Sequence, residues 1–588
     1  MPVSLDKLNV LALDCQATGA NPEKGRIIEI GWTAASAFGD FKDAPAKMQS
    51  FLVSLPDDEA MPKRVERITG ISRDELADGI EESEAWQLLV EAAHGICSGV
   101  CPAIIHFARF EEPFLRRLHR EYTYGEEFPL DIICTHEIAK RILPDLPRRG
   151  LRAVAGYYGY SVDEFRRSTH HVAATVYIWR SLVETLAVNY GIHTLSELKT
   201  WLNETEASAR TGRSYPLDSA RRLGTPDKPG VYRMLRSNGD VLYVGKAKSL
   251  KRRVNSYFQK KSSHAEHILE MLSQAADIDV TVTGSALEAA VLENDEIKRL
   301  SPPYNKALRS RDRRLLFCDR SLTSFSARPD DVHTIGPLPT RETVESLGML
   351  GGLIEAGNGL RETGVSSIPA VLGIPEEYAP DAENFLSGLD LFKQRHENTL
   401  TSGTAIGALK KLGVLLWFKR LAECEECSPD DGCTEAEYNE EMDNGNDGVA
   451  VDEGTWTPES AADALESVVR RGTHAVRRAR WFCLLSESTL SWESRDNGSE
   501  TKHIAVFENG EAVLFSVMKR NEAMPFPSGY DKLFETRRLN FDIPTYDRMR
   551  IVTTEIKRLQ SEKRIVGLTT KPGVILDRDT LATMLKWV

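Results

Sequence analysis

Long apolar runs are missing from this chain. No stretch reaches the roughly 18 residues that a membrane-crossing helix needs, so a membrane-spanning protein is not expected. Cysteine is scarce, nine in 588 residues and mostly scattered, which excludes a disulfide scaffold and fits a reducing cytoplasm. The N-terminal Met1–Lys7 has no charged stretch leading into an apolar one, so no secretion leader is expected. A surplus of positive charge is lacking too: the net charge is −13, which at face value argues against a nucleic-acid binder. What is present is ample core material, 41% hydrophobic and 8% aromatic. The length implies about three or four domains.

Charge distribution reverses the first impression. Lys246, Lys248, Lys251, Arg252, Arg253, Lys260 and Lys261 crowd one stretch, followed by Arg309, Arg311, Arg313 and Arg314. The acid collects elsewhere, chiefly from Glu423 to Asp452. A basic face on an acidic chain is enough for phosphate contacts, whose strength falls with salt. Lys248, Lys251 and Arg252 are the expected DNA contacts.

That basic stretch follows a hairpin pattern. Val231-Tyr232 and Val241–Val244 carry β-branched and aromatic residues, and Ser237-Asn238-Gly239-Asp240 between them is turn chemistry. A Lys-, Arg- and Leu-rich helix is expected after Gly245, and a second helix over Ala286 to Leu300. Cutting a phosphodiester requires a proton acceptor for water, a cation on the phosphoryl oxygens and support for the leaving oxygen. Two tyrosines on a hairpin, an arginine on the next helix and one carboxylate on another supply those parts. A lone carboxylate suits a hard cation such as Mg²⁺, which keeps several waters. Each of these residues taken alone is more often packing or solvated surface; their order and spacing together carry the reading.

The stretch from Thr225 to Ala307 resembles the GIY-YIG nuclease domain of the UvrC- and Cho-type repair excinucleases, through Gly230-Val231-Tyr232 and Tyr243-Val244-Gly245. The resemblance implies that Tyr243 activates water, with Tyr232 and Lys246 tuning it. It implies that Arg253 binds the scissile phosphate, that Glu293 holds Mg²⁺ or Mn²⁺, and that Tyr257 and Asn305 support the site.

Residues 1–190 resemble a different family, the proofreading-type DEDDh (DnaQ-like) exonucleases with an RNase H-like fold. The likeness rests on Leu8–Leu13 running into Asp14, which reads as a strand with a carboxylate at its tip, and on Arg26–Trp32 as a second strand. Ile68-Thr69-Gly70-Ile71, His106–Glu111, Pro129-Leu130-Asp131 and His170–Val176 extend it. Such enzymes hold two metals with four carboxylates and use a histidine as base. Here Asp14 and His171 match outright. Gln16 replaces Glu, Glu111 replaces Asp, and Val176 stands where the last Asp belongs. The expectation is a retained fold with little or no exonuclease activity, acting as a grip on DNA or a partner, or as scaffold.

The chain then divides, in expectation, into a connector (191–222), the nuclease domain (223–310), a mainly helical region like that trailing the excinuclease domain (311–422), an acidic cysteine-containing loop (423–455) and a C-terminal α+β module (456–588). Cys424, Cys427 and Cys433 are read as free thiols, with an iron–sulfur cluster or zinc as the open alternative, since a fourth ligand is not local. Arg470-Arg471, Arg477-Arg478 and Arg480 are either phosphate contacts or a solvated basic face. No helix-hairpin-helix pattern and no UvrB-interaction motif is recognisable, so the chain is not a full-length UvrC. The fold class expected is α/β and α+β multidomain. The function expected is a metal-dependent endonuclease of nucleotide excision repair, cutting 3′ of a lesion with a UvrB-like partner. An active 3′-to-5′ exonuclease and a non-catalytic DNA-binding adaptor are the alternatives.

Overall fold

The computed structural model describes residues 3–38, 48–123, 125–161, 166–206, 212–259, 264–305, 313–356, 368–401, 403–425, 456–496, 499–519, 541–570, 575–576 and 578–585. Lys260, Lys261, Arg309, Arg311, Cys427, Cys433 and most of the acidic stretch lie outside them, and the side chain of Cys424 is likewise not described. The chain forms two compact units, Met1–Thr283 with Leu300–Lys306, and Gly284–Arg299 with Ala307–Val588.

The first unit begins with a five-stranded mixed sheet in the order β3-β2-β1-β4-β5. Its strands are β1 (Val10–Ala17), β2 (Ile27–Ala35), β3 (Gln49–Leu52), β4 (Cys101–Ile105) and β5 (Leu130–Cys134). β1 pairs antiparallel with β2 and parallel with β4. Val10–Cys15 are buried on both faces, as expected for a central strand whose apolar run does not alternate. Two cores flank this RNase H-like sheet. One is built on Trp179, Leu182 and Leu186, the other on Trp32, Trp86 and Phe114. Asp14 is not at the strand tip as the sequence implied. β1 runs three residues further because Gln16 pairs with Glu29 and Ala17 with Ile27.

The expected hairpin forms as β6 (Gly230–Leu235) and β7 (Val241–Ala247), with β8 (Asp277–Val282) on the other side of β6. Gly239, at φ +91°, turns the hairpin where a side chain would be strained. The Leu195–Glu204 helix of the connector docks on the first domain, its Leu198 buried in that core with Leu5 and Leu186. The two nucleolytic regions also touch directly. Arg148 N–H donates to Ser273 Oγ at 2.9 Å, and Asn238 Nδ2 donates to the Gly159 carbonyl at 3.0 Å. Gly156 leaves room for Gln274, whose side-chain oxygen would lie 1.9 Å from a Cβ there.

The second unit takes in the Ala286–Leu300 helix, with the bounds read from the sequence. Its Leu287 and Val291 are buried among Trp481, Phe482, Trp492 and Tyr546. On the same helix, Asp295 accepts from Arg548 at 3.0 Å and Lys298 lies 2.6 Å from the fully buried Asp547 carboxylate. The rest holds a small sheet of β9 (Leu316–Cys318), β10 (Phe325–Ser326) and β11 (Ile335–Leu338) with the helices Glu342–Ala356, Ile368–Leu372, Ala382–Arg395 and Ala405–Glu425. It ends in a five-stranded antiparallel sheet of β12 (Ser488–Asp496), β13 (Ser499–Glu508), β14 (Glu511–Lys519), β15 (Val566–Thr570) and β16 (Ile575–Leu576). Phe482–Ser486, an apolar stretch that reads as a strand in the sequence, is helical as far as Leu485, because Phe482 and Leu485 continue the buried face of the Pro458–Leu485 helix. The α/β and α+β multidomain class therefore holds.

Candidate active sites

In the hairpin region the polar groups gather on Tyr232. Its ring is fully buried from β6, and its hydroxyl is 2.9 Å from the Tyr257 hydroxyl. Arg253 Nε donates to the same oxygen at 3.3 Å, and the guanidinium lies 5.1 Å from the Tyr257 ring centroid. Tyr243, half-buried on β7, packs with its ring 6.0 Å from that of Tyr232. This closeness requires Gly245 opposite Tyr232: a Cβ there would stand 2.5 Å from the Tyr232 hydroxyl and 2.7 Å from the Tyr243 ring.

Burial pushes the Tyr232 phenol well above its ordinary pKa, with Tyr257 and Tyr243 adding to the effect. It therefore stays protonated and works as a hydrogen-bonding group. Burial opposes the Arg253 charge, but Tyr232 and Tyr257 outweigh it, so the guanidinium pKa is raised.

The other expected residues fall as follows. Asn305 is buried and bridges the Val244 backbone, accepting from its N–H at 2.9 Å and donating to its carbonyl at 2.8 Å. That pins β7 beside Tyr243. Lys246, Lys248, Lys251 and Arg252 are exposed. Ser249 caps the short Leu250–Ser256 helix that carries Arg253. Glu293 is half-buried midway along the Ala286–Leu300 helix, within the second unit.

The first domain gathers Asp14, Gln16 and His171. His171 Nδ1 is 3.2 Å from both Asp14 oxygens and 3.2 Å from Gln16 Nε2. Glu111, at the start of the Ala108–Tyr122 helix, is buried and its Oε2 has no hydrogen-bond partner among the described residues. Burial and the nearby Asp14 push the Glu111 carboxyl well above the usual range. Burial also raises Asp14, against the pull of His171. Val176 is 1% exposed in an apolar core and offers no ligand. Asp14 and Glu111 thus suit one hard cation and lack the charge for two. Among the described residues no trio of His, Cys, Asp or Glu is grouped to hold a metal.

The sequence reading overlooked Glu29. This buried carboxylate on β2 raises Asp14 electrostatically, while Arg167 at 2.7 Å and the Ser168 N–H at 2.8 Å hold it. A charge inside Ile27-Ile28-Glu29-Ile30 was the available signal, because charged residues are almost never fully buried unless paired.

These geometries define a chain with two nuclease-type domains, and comparison with known proteins gives the same two. A family model described as "Exonuclease" matches residues 11–174, and one described as "UvrC-like GIY-YIG domain" matches residues 228–306. The chain carries a DnaQ-like exonuclease domain followed by a UvrC-like GIY-YIG domain.

A putative bifunctional exonuclease/endonuclease protein of Mycobacterium tuberculosis is 28% identical over 313 residues, 52% of this chain and 45% of that protein. The UvrABC system protein C of Nitrosomonas europaea is 45% identical over 130 residues, 21% of each chain. The chain thus spans less than half the length of these relatives. A solved GIY-YIG N-terminal endonuclease domain of UvrC from Thermotoga maritima, bound to magnesium, is 32% identical. It covers 15% of this chain and 92% of its own, with a TM-score of 0.14, an overlap too small to carry an argument. Among the described residues no helix is long and apolar enough to cross a membrane.

Proposed function

We propose that this chain is a metal-dependent DNA endonuclease whose cutting centre is the GIY-YIG domain. The observation that carries the reading is the Tyr232–Tyr257–Arg253 network beneath Tyr243, made possible by Gly245. Tyr243 takes the proton of the attacking water. Tyr232, kept neutral by burial, and Tyr257 hold Arg253 in position to neutralise the scissile phosphate, with Lys246 assisting. Glu293, a single hard-oxygen donor, fits a cation that keeps several waters, and bound Mg²⁺ or Mn²⁺ would polarise the phosphoryl oxygens and leaving group. Tyr243, Arg253 and Glu293 acting on one phosphate is part of the proposal, supported by their match to the motif.

In the fuller form of this reading the enzyme works in the cytoplasm in nucleotide excision repair, cutting on the 3′ side of a lesion loaded by a UvrB-like protein. Support comes from the UvrC relatives. The exonuclease domain contributes little cutting, because two of its four expected carboxylates are Gln16, a neutral amide, and Val176, which offers no ligand. The competing exonuclease reading draws on the retained Asp14–His171 contact.

Incubating supercoiled plasmid with the full chain tests the core proposal. Nicking is expected with Mg²⁺ or Mn²⁺, none in EDTA, and none with Tyr243→Phe. Nicking unchanged in Tyr243→Phe overturns the assignment of that residue, and no nicking under any divalent metal favours an adaptor. The cysteine cluster is tested by iron and zinc analysis of protein purified without oxygen.

A further inference from the structure

Where the two nucleolytic regions meet, the Leu151–Tyr157 helix of the first lies against the Glu266–Gln274 helix of the second. The seam is polar and closed: Arg236 and Tyr304 are buried, and Gln274 is 1% exposed. The Gln274 amide stands at its centre. Its oxygen accepts from Arg236 Nε at 3.2 Å, and its nitrogen donates to the Tyr304 hydroxyl. That hydroxyl donates onward to Glu270 Oε1 at 2.6 Å. From the exonuclease side, Ser161 Oγ accepts from Arg236 Nη1 at 3.3 Å, and Arg152 lies 3.8 Å from the same Glu270 oxygen.

Two observations tie this seam to the nuclease hairpin. The first is the fit at Gly156, where a Cβ would come within 2.6 Å of three Gln274 side-chain atoms. The exonuclease helix is thus shaped to seat that side chain, which cannot swing aside without giving up Arg236 and Tyr304. The second is that Tyr304 adjoins Asn305. The Tyr304 N–H donates to the Leu242 carbonyl at 3.1 Å, while Asn305 holds both backbone groups of Val244. Leu242 and Val244 flank Tyr243 on β7. Residues 304 and 305 therefore fix the strand at Tyr243, and Gln274, seated on Gly156, fixes Tyr304. Tyr304 also shares a buried core with Tyr232 and Tyr257.

We infer that the exonuclease fold is a positioning element for the nuclease domain, acting through Gly156, Gln274 and Tyr304 on the strand that carries Tyr243. Burial and Glu270 push the Tyr304 phenol above its ordinary pKa, so it stays protonated and keeps donating to Glu270. Without the Leu151–Tyr157 helix, water would reach Gln274 and compete for the bonds that orient Tyr304. This work needs none of the carboxylates missing at Gln16 and Val176. The inference rests on the reading of Tyr243 as the group that activates water.

The test is steady-state nicking of supercoiled plasmid by the full chain with Mg²⁺, reading kcat and KM separately, with DNA-binding stoichiometry in EDTA counting the folded molecules. Gly156→Ala should lower kcat about 10-fold and leave KM within about 2-fold of wild type. Gln274→Ala, which inserts nothing and so avoids any clash, should do the same. The two together should be no worse than Gln274→Ala alone, because the clash needs the Gln274 side chain. Gly95→Ala, the same change at an exonuclease-helix glycine with open space around it, should keep kcat. Wild-type kcat in Gly156→Ala and Gln274→Ala, with Tyr243→Phe inactive, would overturn this inference and leave the nuclease reading standing. A lower melting temperature with kcat unchanged would do likewise, marking a brace and nothing more. Losses that multiply in the pair would overturn the route through Gln274. Nicking by Tyr243→Phe at the wild-type rate would instead overturn the reading beneath it.

Discussion

Asp14 and Tyr232 both sit on strands with their ionisable groups buried, one in each nucleolytic region, and burial does opposite things for them. Desolvation disfavours the anions of Asp14 and its neighbour Glu111, a cost that a bound cation would offset. A phenol that orients an arginine must stay protonated, and desolvation keeps Tyr232 that way. The DEDDh-type site needs dense negative charge, so replacing two carboxylates with Gln16 and Val176 strips it. The GIY-YIG site needs only one carboxylate and otherwise relies on neutral phenols and a guanidinium. In the proposed reading every residue that site needs is present in this sequence, while two of its neighbour's four expected carboxylates are not.

The largest effect should come from Arg253→Ala. It removes the phosphate cation and leaves two buried phenols without their charged partner, and plasmid nicking should fall about 10³-fold with the fold intact. An unchanged rate would break the comparison at its stronger end. Gly245→Ala forces Tyr232 and Tyr243 apart and should lower the nicking rate by roughly 10²-fold. A normal rate in that variant would show that the ring contact is mere packing. Asn305→Ala deletes two buried hydrogen bonds to Val244 and should cost about 2 kcal/mol in denaturant unfolding.

The smallest expected change is in the first domain. Glu111 has a folded pKa raised above its unfolded value, so the folded state holds the extra proton and stability falls as pH rises above about 4. Glu111→Gln should therefore raise the melting temperature at neutral pH by a few degrees and flatten that pH slope. A lower melting temperature would mean that the ionised carboxylate has a partner that stabilises it.

The hairpin and its neighbouring helices were legible because their signals are local. Alternation marks β6 and β7, Gly239 marks the turn, and the Ala286–Leu300 pattern gave its own bounds. The role of Gly245 could be read as a motif letter, but its reason, contact with two tyrosine rings, needed the fold. What stayed hidden depends on distant partners. Glu29 stands out in its apolar strand, but its partners, the Arg167 guanidinium and the Ser168 N–H that donates to it, lie nearly 140 residues away. Leu287 and Val291 gave no hint that they would be buried with Trp481 and Tyr546, about 190 and 255 residues later in the chain. β12 carries little local signal because Ser488–Asp496 is mostly polar and owes its place to pairing with β13 and β15.

The most direct test of the account uses a lesion-bearing duplex labelled at either end, incubated with the full chain and Mg²⁺, comparing wild type, Glu293→Gln and Asp14→Ala. The account predicts a discrete internal cut that Glu293→Gln abolishes, with DNA binding retained, and that Asp14→Ala leaves intact. A ladder of products shortened from the 3′ end, lost in Asp14→Ala and unaffected by Glu293→Gln, would contradict it.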